Sequence, residues 1–262
     1  MTHDSSFRES FRRFVVAYLI AAPVVAFFLI PFVPHPVIGG ILLLHGLLLA
    51  PTFVPNGAWF SPVVRRFATL EKEVILTLDD GPDPELTPQV LELLKAYDAK
   101  ACFFVVGRKV REYPELVCQI AAGGHELANH TYSHRERWFW AELWSGAGRE
   151  IDACSNEITK ATGKRTRWFR PPVGMSNPFL YPEVHRRQMQ TLGWSTRAKD
   201  AIDGIDTAAC AARVIDEVKP GCVILMHPEW RGPSNTHQGL ACLEMVMQGL
   251  KNLGYRCVLP PH

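Results

Sequence analysis

The chain has 262 residues, enough for one large domain or two small ones, with 47% hydrophobic residues, 21% charged residues and a net charge of +2. From Phe14 to Val64 there is no Asp, Glu, Lys or Arg, so the rest is roughly a quarter charged, as in an ordinary soluble domain. This division excludes a disordered chain, a polytopic transporter and a wholly soluble protein, and the absence of any long Lys/Arg run argues against nucleic acid as a partner.

Taken in chain order, residues 1–13 are a short polar segment, 14–54 an apolar anchor, 55–72 a juxtamembrane linker and 73–262 the domain that carries the chemistry. Phe14–Val33 is a 20-residue uncharged run, long enough as a helix to cross a hydrocarbon core of about 30 Å, with Pro23 as its expected kink. A second run, Val37–Val54, follows after Pro34-His35-Pro36 and suits a transmembrane helical hairpin. Gly39, Gly40, Gly46, His45 and Pro51 make it the weaker span, with a re-entrant or interfacial path as the alternative. A cleaved signal peptide is the competing reading of the first run, against which stand its length and the lack of a small-x-small site after it. Arg8, Arg12 and Arg13 precede the first run, and Arg65, Arg66 and Lys72 follow the second. With two crossings, the positive-inside rule puts the domain on the cytoplasmic side of the plasma (inner) membrane; with one crossing it lies outside.

From residue 73, short apolar runs alternate with helix-period segments. The expected strands are 74–78, 101–106, 125–129, 167–169, 193–196, 222–226 and 255–259, and the clearest helices are 87–98, 113–124, 149–163 and 237–254. Continuous rather than alternating hydrophobicity in several strands predicts burial on both faces, as in a parallel sheet covered by helices. The repeat suits either an incomplete barrel or an open doubly wound sheet. Gly123-Gly124, Gly163 and Gly254 mark helix ends. The seven cysteines form no CxxC pair, and several sit in apolar runs; they read as reduced core residues, which favours the cytoplasm.

Reactive residues collect just past the strands, where parallel α/β sheets form their ligand crevice: Asp79 and Asp80, His130 and His134, Arg170, Asp200 and His227. Asp79-Asp80-Gly81-Pro82 suits a plain turn, and it also suits a metal ligand beside a general base. His130 and His134, at i and i+4, would share one face of a helical turn as a metal pair, or be two hydrogen-bonding surface histidines. Arg170 in RPPVG is a surface Arg on an extended loop or the partner of a carboxylate. His227, after CVILM, is a core histidine or a general acid.

Together TLDDGPD (77–83), HTYSH (130–134), FRPPVG (169–174), Asp200 and LMH (225–227) resemble, in order, the five motifs of the polysaccharide deacetylase family with the NodB homology domain, carbohydrate esterase family 4. The resemblance covers about residues 73–259. It implies a distorted, incomplete (β/α) barrel with parallel strands and metal-dependent removal of an N-acyl group from an amino sugar in a glycan or lipid-linked saccharide. It further implies Asp79 as general base and Asp80, His130 and His134 as ligands of a divalent metal, usually Zn²⁺, with Co²⁺, Mn²⁺ and Ni²⁺ as alternatives. Arg170 would orient Asp79, His227 would be the acid tuned by Asp200, Leu225 would line the acyl pocket, Pro172 and Val173 would be further substrate contacts, and the oxyanion donor at position 173 would be a main-chain N–H. Val173 stands where the family has Tyr, Ala201 where a Trp follows the tuning Asp, and Pro228 where an Asp follows the His, which leaves the substrate open and Asp203 as a competitor of Asp200. A catalytically silent carbohydrate-binding domain is the alternative function, and a phosphoesterase is disfavoured by the lack of a Gly-rich phosphate loop. Trp138, Phe139, Trp140 and Trp144, with Arg135 and Arg137, come directly after the histidine motif. They either pack a helix onto the barrel or form a surface for sugar rings or lipid headgroups, Trp138 being the candidate substrate contact.

Overall fold

The structure is a computed structural model, which describes residues 2–29, 34–135, 139, 145–201, 206–229 and 237–261. Two helices open the chain, α1 (Thr2–Leu29) and α2 (His35–Leu49), the second running on into a 3₁₀ turn at Ala50–Phe53. They touch where Tyr18 lies against His45, Oη to Nδ1 at 3.3 Å. No residue of α2 is buried. Among the described residues, His35–Phe53 is long and apolar enough to cross a membrane by length and composition, a test that a signal sequence also passes. The apolar part of α1 described there is the shorter Arg13–Ala22. The first expected run, Phe14–Val33, ends outside the described residues. Pro51 enters the second at the start of the 3₁₀ turn, where its missing N–H has no helical partner to lose.

The remaining elements alternate: β1 (Val63–Val64), β2 (Glu73–Gly81), α3 (Leu86–Ala96), β3 (Ala101–Val105), α4 (Gly107–Glu112), α5 (Pro114–Ala122), β4 (Glu126–Asn129), α6 (Ser145–Thr162), β5 (Trp168–Phe169), α7 (Leu180–Arg186), β6 (Gln190–Leu192), β7 (Thr196–Arg197), α8 (Thr207–Glu217), β8 (Val223–Met226), α9 (Gln238–Asn252) and β9 (Arg256–Cys257). All named strand pairs are parallel, in the order β1-β6-β5-β4-β3-β2-β8-β7, with β9 also on β2. The fold is a curled, open α/β half-barrel.

Strand parity divides the core. Val74, Leu76 and Leu78 of β2 and Phe103 and Val105 of β3 face out and pack beneath α3, α5, α8 and α9. Ile75, Cys102, Phe104, Ala128, Trp168, Leu192 and Val223 fill the inside of the curl. Both faces of β2 and β3 are therefore buried, which explains their continuous apolar sequences.

Several expected boundaries shift. Residues 193–196, read as one strand, bridge the gap between β6 and β7, and β6 itself is too short to carry a periodic signal. The segment read as a linker contributes β1, which pairs Val63 with Thr191 and Val64 with Leu192. Six of the seven cysteines are buried and all are free, but Cys118 is exposed on α5, because its position falls on the solvent side of an otherwise amphipathic helix. Trp138, Trp140, Trp144, Arg137 and Asp203 lie outside the described residues. Phe139 is described, and it is buried against Phe169 with ring centroids 6.4 Å apart rather than on a surface.

Gly221 joins this linker segment to the sheet. It accepts from Phe67 N at 3.0 Å, has φ of 77°, and a Cβ there would lie 2.1 Å from the Phe67 carbonyl oxygen. Gly221→Ala combines a left-handed side chain with a backbone clash, so it should lower stability by about 2 kcal/mol or more, read as the midpoint of chemical denaturation.

Candidate active site

Parity also places the chemistry. Along a strand, residues two apart share a face. Ile75, Thr77 and Asp79 therefore point into the curl, as do Ala128 and His130, Trp168 and Arg170, and Val223, Leu225 and His227. Each row ends in a polar group at the carboxyl end of its strand. There a cavity of about 410 Å³ opens, lined by Asp79, Asp80, His130, His134, Leu225 and His227 on one side and by Val173, Gly174, Trp194, Arg197, Lys199 and Ala201 on the other.

Two adjacent residues of a regular strand point to opposite faces, yet Asp79 and Asp80 both line the cavity. A break in register between Asp79 and Gly81 and a φ of 75° at Asp80 turn the second carboxylate inward. Lys109 of α4 donates to the Asp80 carbonyl at 2.6 Å and holds the turned peptide.

The two histidines meet in an irregular loop, not on the helical turn that their spacing suggests. Thr131 and His134 take left-handed φ values of 67° and 50°. The loop is tied down by its own polar groups: Asn129 Oδ1 accepts from Thr131 N at 2.9 Å, and Glu150 Oε2 accepts from Tyr132 N and Ser133 N at 3.1 and 2.7 Å. Gly107 and Arg108, the first residues of α4, donate to the carbonyls of Thr131 and Tyr132, so N–H groups that a helix leaves without partners fasten the loop. His130 Nδ1 lies 2.8 Å from Arg170 O. A carbonyl only accepts, so Nδ1 carries the hydrogen and Nε2 presents its lone pair.

That lone pair faces His134 Nε2 at 3.1 Å and Asp80 Oδ1 at 3.5 Å, and His134 Nε2 is 3.1 Å from the same oxygen. One ligand atom from each of the three residues falls within 4.8 Å of the others. Asp80 Oδ1 is buried without a hydrogen-bond partner. Burial works against ionisation of Asp80, but His130 and His134 hold its carboxyl far below the usual range. Burial and the neighbouring His130 push His134 down to about 3, so it is a neutral donor. Burial also opposes charge on His130, yet Asp79 and Asp80 raise its pKa. The carboxylates thus demand a positive charge at this point, and an unanswered buried oxygen beside two imidazoles fits a divalent cation.

Arg170 is 1% exposed. It donates to Asp79 Oδ1 at 2.6 Å, Thr77 Oγ1 at 2.9 Å, Leu192 O at 2.9 Å and Gly193 O at 2.8 Å, and stacks 4.1 Å over Phe104. Asp200, 2% exposed, accepts from His227 N at 2.7 Å and faces His227 Nδ1 at 3.1 Å. Against the burial that would lower it, this carboxylate raises His227 to about 9.

Leu225 and Val173 line the cavity, whereas Pro172 is buried in the short 3₁₀ turn Pro172–Gly174 and is not among the lining residues. Val173 has φ of 57°, an uncommon state for a β-branched residue. Asn56 supports this turn from behind. Its N–H donates to Gly174 O at 2.8 Å, its Nδ2 donates to Trp194 O at 2.7 Å, and its Oδ1 accepts from Trp194 N at 3.3 Å. A Cβ on Gly174 would lie 2.3 Å from the Trp194 ring, so only glycine permits this closeness.

Asn56, Lys109, Glu150 and Trp194 are missing from the sequence reading. Asn56-Gly57 is a legible turn signal, but nothing local says what the turn touches. Glu229 was also unforeseen: it is pushed up to about 7 by burial, with Thr87 donating to it beside Gly81.

The profile of the polysaccharide deacetylase family matches residues 67–194. A peptidoglycan-N-acetylglucosamine deacetylase of Bacillus cereus is 34% identical over 192 residues, covering 72% of this chain and 86% of the relative. Among solved structures, a peptidoglycan N-acetylglucosamine deacetylase in complex with an N-oxidanyl-benzamide has a TM-score of 0.68 at 29% identity, covering 75% of this chain and 90% of the other. A mutant of a Bacillus anthracis pseudoenzyme of the same esterase family, with restored enzymatic activity, has a TM-score of 0.64 at 28% identity, covering 75% and 68%.

Removing the Asp200 charge withdraws the main cause that raises His227 and leaves burial, which lowers it, opposed only by Asp80 and Asp79. Asp200→Asn should therefore lower the His227 midpoint from about 9, as followed by NMR of the imidazole protons in metal-free protein.

Proposed function

The chain belongs to the polysaccharide deacetylase family, and from that membership and its site we propose that it is a metal-dependent amidohydrolase. Its reaction, in this reading, removes an N-acetyl or other small N-acyl group from an amino sugar in a glycan or lipid-linked saccharide. The observation that carries the proposal is the convergence of Asp79, three ligand-type side chains and His227 on one cavity.

Asp80, His130 and His134 would hold a divalent cation, zinc by resemblance, which when bound polarises an amide carbonyl and lowers the pKa of water. Arg170 fixes Oδ1 of Asp79 and favours its charged form, leaving Oδ2 to take the proton of the attacking water. By resemblance to the family, the main-chain N–H of Val173 would stabilise the developing oxyanion. His227, protonated at neutral pH and oriented by Asp200, gives its proton to the leaving amine. The products are the free amino sugar and a small carboxylic acid.

The pseudoenzyme neighbour supports the second reading, a silent sugar-binding domain. The retained base, acid and three donors favour the active one. In the proposed setting α1 and α2 cross the plasma membrane together as a hairpin, and with two crossings the arginines that flank it argue for a cytoplasmic domain.

Chelation should abolish release of the acyl group from N-acetylglucosamine oligomers, and Zn²⁺ or Co²⁺ should restore it. Asp79→Asn should keep the metal, measured by mass spectrometry of the bound ion, while losing about 10²-fold or more in kcat. Asp80→Asn should lose the metal; equal metal loss in both would overturn the division of roles. For sidedness, a reporter fused after His262 should behave as cytoplasmic, and cleavage of the domain by protease added to spheroplasts would reverse the assignment.

A further inference from the structure

The wall of the cavity opposite the ligand triad carries two cations that the proposed reaction does not use. Arg197 of β7 pairs in register with Leu225, and the two face the same side, into the cavity. Thr196 points the other way, to Glu217 of α8. Two residues on, Lys199 lines the same wall. Its backbone is held on both sides: Ala198 is fully buried and donates to Leu225 O, and Asp200 is fastened to His227. Lys199 itself takes φ of 59°, a state that costs about 1–2 kcal/mol for a residue with a side chain.

Neither cation forms an ion pair among the described residues. Of the two carboxylates that share the lining, Asp79 is paired with Arg170, and Asp80 faces the two imidazoles and the cation proposed between them. Two like charges on one wall repel one another, and among the described residues neither head group has a hydrogen bond or ion pair that offsets this. Their shared orientation into the cavity therefore points to an anion that arrives with the substrate. A single carboxylate is satisfied by one bidentate arginine, whereas an arginine and a lysine together match the charge and oxygens of a phosphate.

Resting on the deacetylase reading, we propose that Arg197 and Lys199 form a phosphate subsite, so that the preferred substrate is an N-acyl amino sugar bearing a phosphate or diphosphate group. A soluble sugar phosphate and a lipid-diphosphate-linked sugar present the same chemistry.

The test uses the full chain in detergent, loaded with Zn²⁺, and four substrates: N-acetylglucosamine 1-phosphate, polyprenyl-diphosphate-linked N-acetylglucosamine, neutral diacetylchitobiose and N-acetylmuramic acid as the carboxylate control. The kcat/KM ratio of the better phosphate-bearing substrate to chitobiose should exceed ten. In the Arg197→Gln/Lys199→Gln double variant this ratio should fall roughly 10- to 100-fold, mainly through KM, as expected from losing one or two charge-assisted hydrogen bonds. Arg197→Lys, which keeps the charge, should recover part of it, and added salt should narrow the gap in the wild type. Either phosphate source supports the proposal, and the ratio between them identifies which is used. An unchanged ratio in the double variant, or a carboxylate substrate preferred over both phosphates, would overturn it. Calorimetric binding of N-acetylglucosamine 1-phosphate to Asp79→Asn protein, with and without the double substitution, decides the subsite even if no substrate is turned over, an outcome that would instead refute the deacetylase reading.

Discussion

A guanidinium sealed inside a protein must find an acceptor for its hydrogens and a partner for its charge, or the buried ion costs several kcal/mol. The interior of this half-barrel is arranged around that demand. Arg170 reaches from the end of β5 to Asp79 and Thr77 on β2 and to the carbonyls after and within β6. Because one planar fork joins three strand ends, their relative positions at the cavity floor are set by hydrogen bonds of fixed geometry. The negative charge of Asp79 balances the arginine as well as serving as a chemical resource, and an asparagine there would keep an acceptor for the guanidinium while removing the charge. The same strand end supplies the His130 hydrogen-bond acceptor, the carbonyl of Arg170, and so the pair also sets which imidazole nitrogen faces Asp80.

A second constraint is backbone strain held in place by neighbours. Asp80, Thr131, His134 and Val173 all take left-handed conformations, which side chains with a Cβ adopt reluctantly. Each has external support: Lys109 for Asp80, Asn129 and Glu150 for the histidine loop, Asn56 for the turn at Val173. The converging groups owe their direction to these supports, which lie outside the motifs themselves.

This explains what the sequence reveals and what it conceals. The apolar strands 74–78, 101–106 and 222–226, and the reactive residues after the first and the last, are legible because burial on two faces and strand parity leave local marks. The two-residue strands β1, β5, β7 and β9 have no period, and their existence depends on the ladder beside them. The spacing of His130 and His134 suggests a helical turn, while the true loop depends on a glutamate sixteen residues past His134, inside a helix whose sequence looks like any other amphipathic one. The aromatic run after His134 is read only in part, for Phe139 alone is described and it belongs to the core.

The support given by Asn56 has a consequence for where the working unit begins. The family profile matches from residue 67, yet β1 and Asn56 precede that point and complete the sheet edge and the backing of Gly174 and Trp194. Only Val54 and Pro55 separate the 3₁₀ turn that ends the apolar helix from Asn56. Three peptide steps extend at most about 10 Å. One rim of the cavity is therefore held on a leash of that length from the end of the apolar helix, and whatever surface receives the helix also sets the direction from which a sugar can approach.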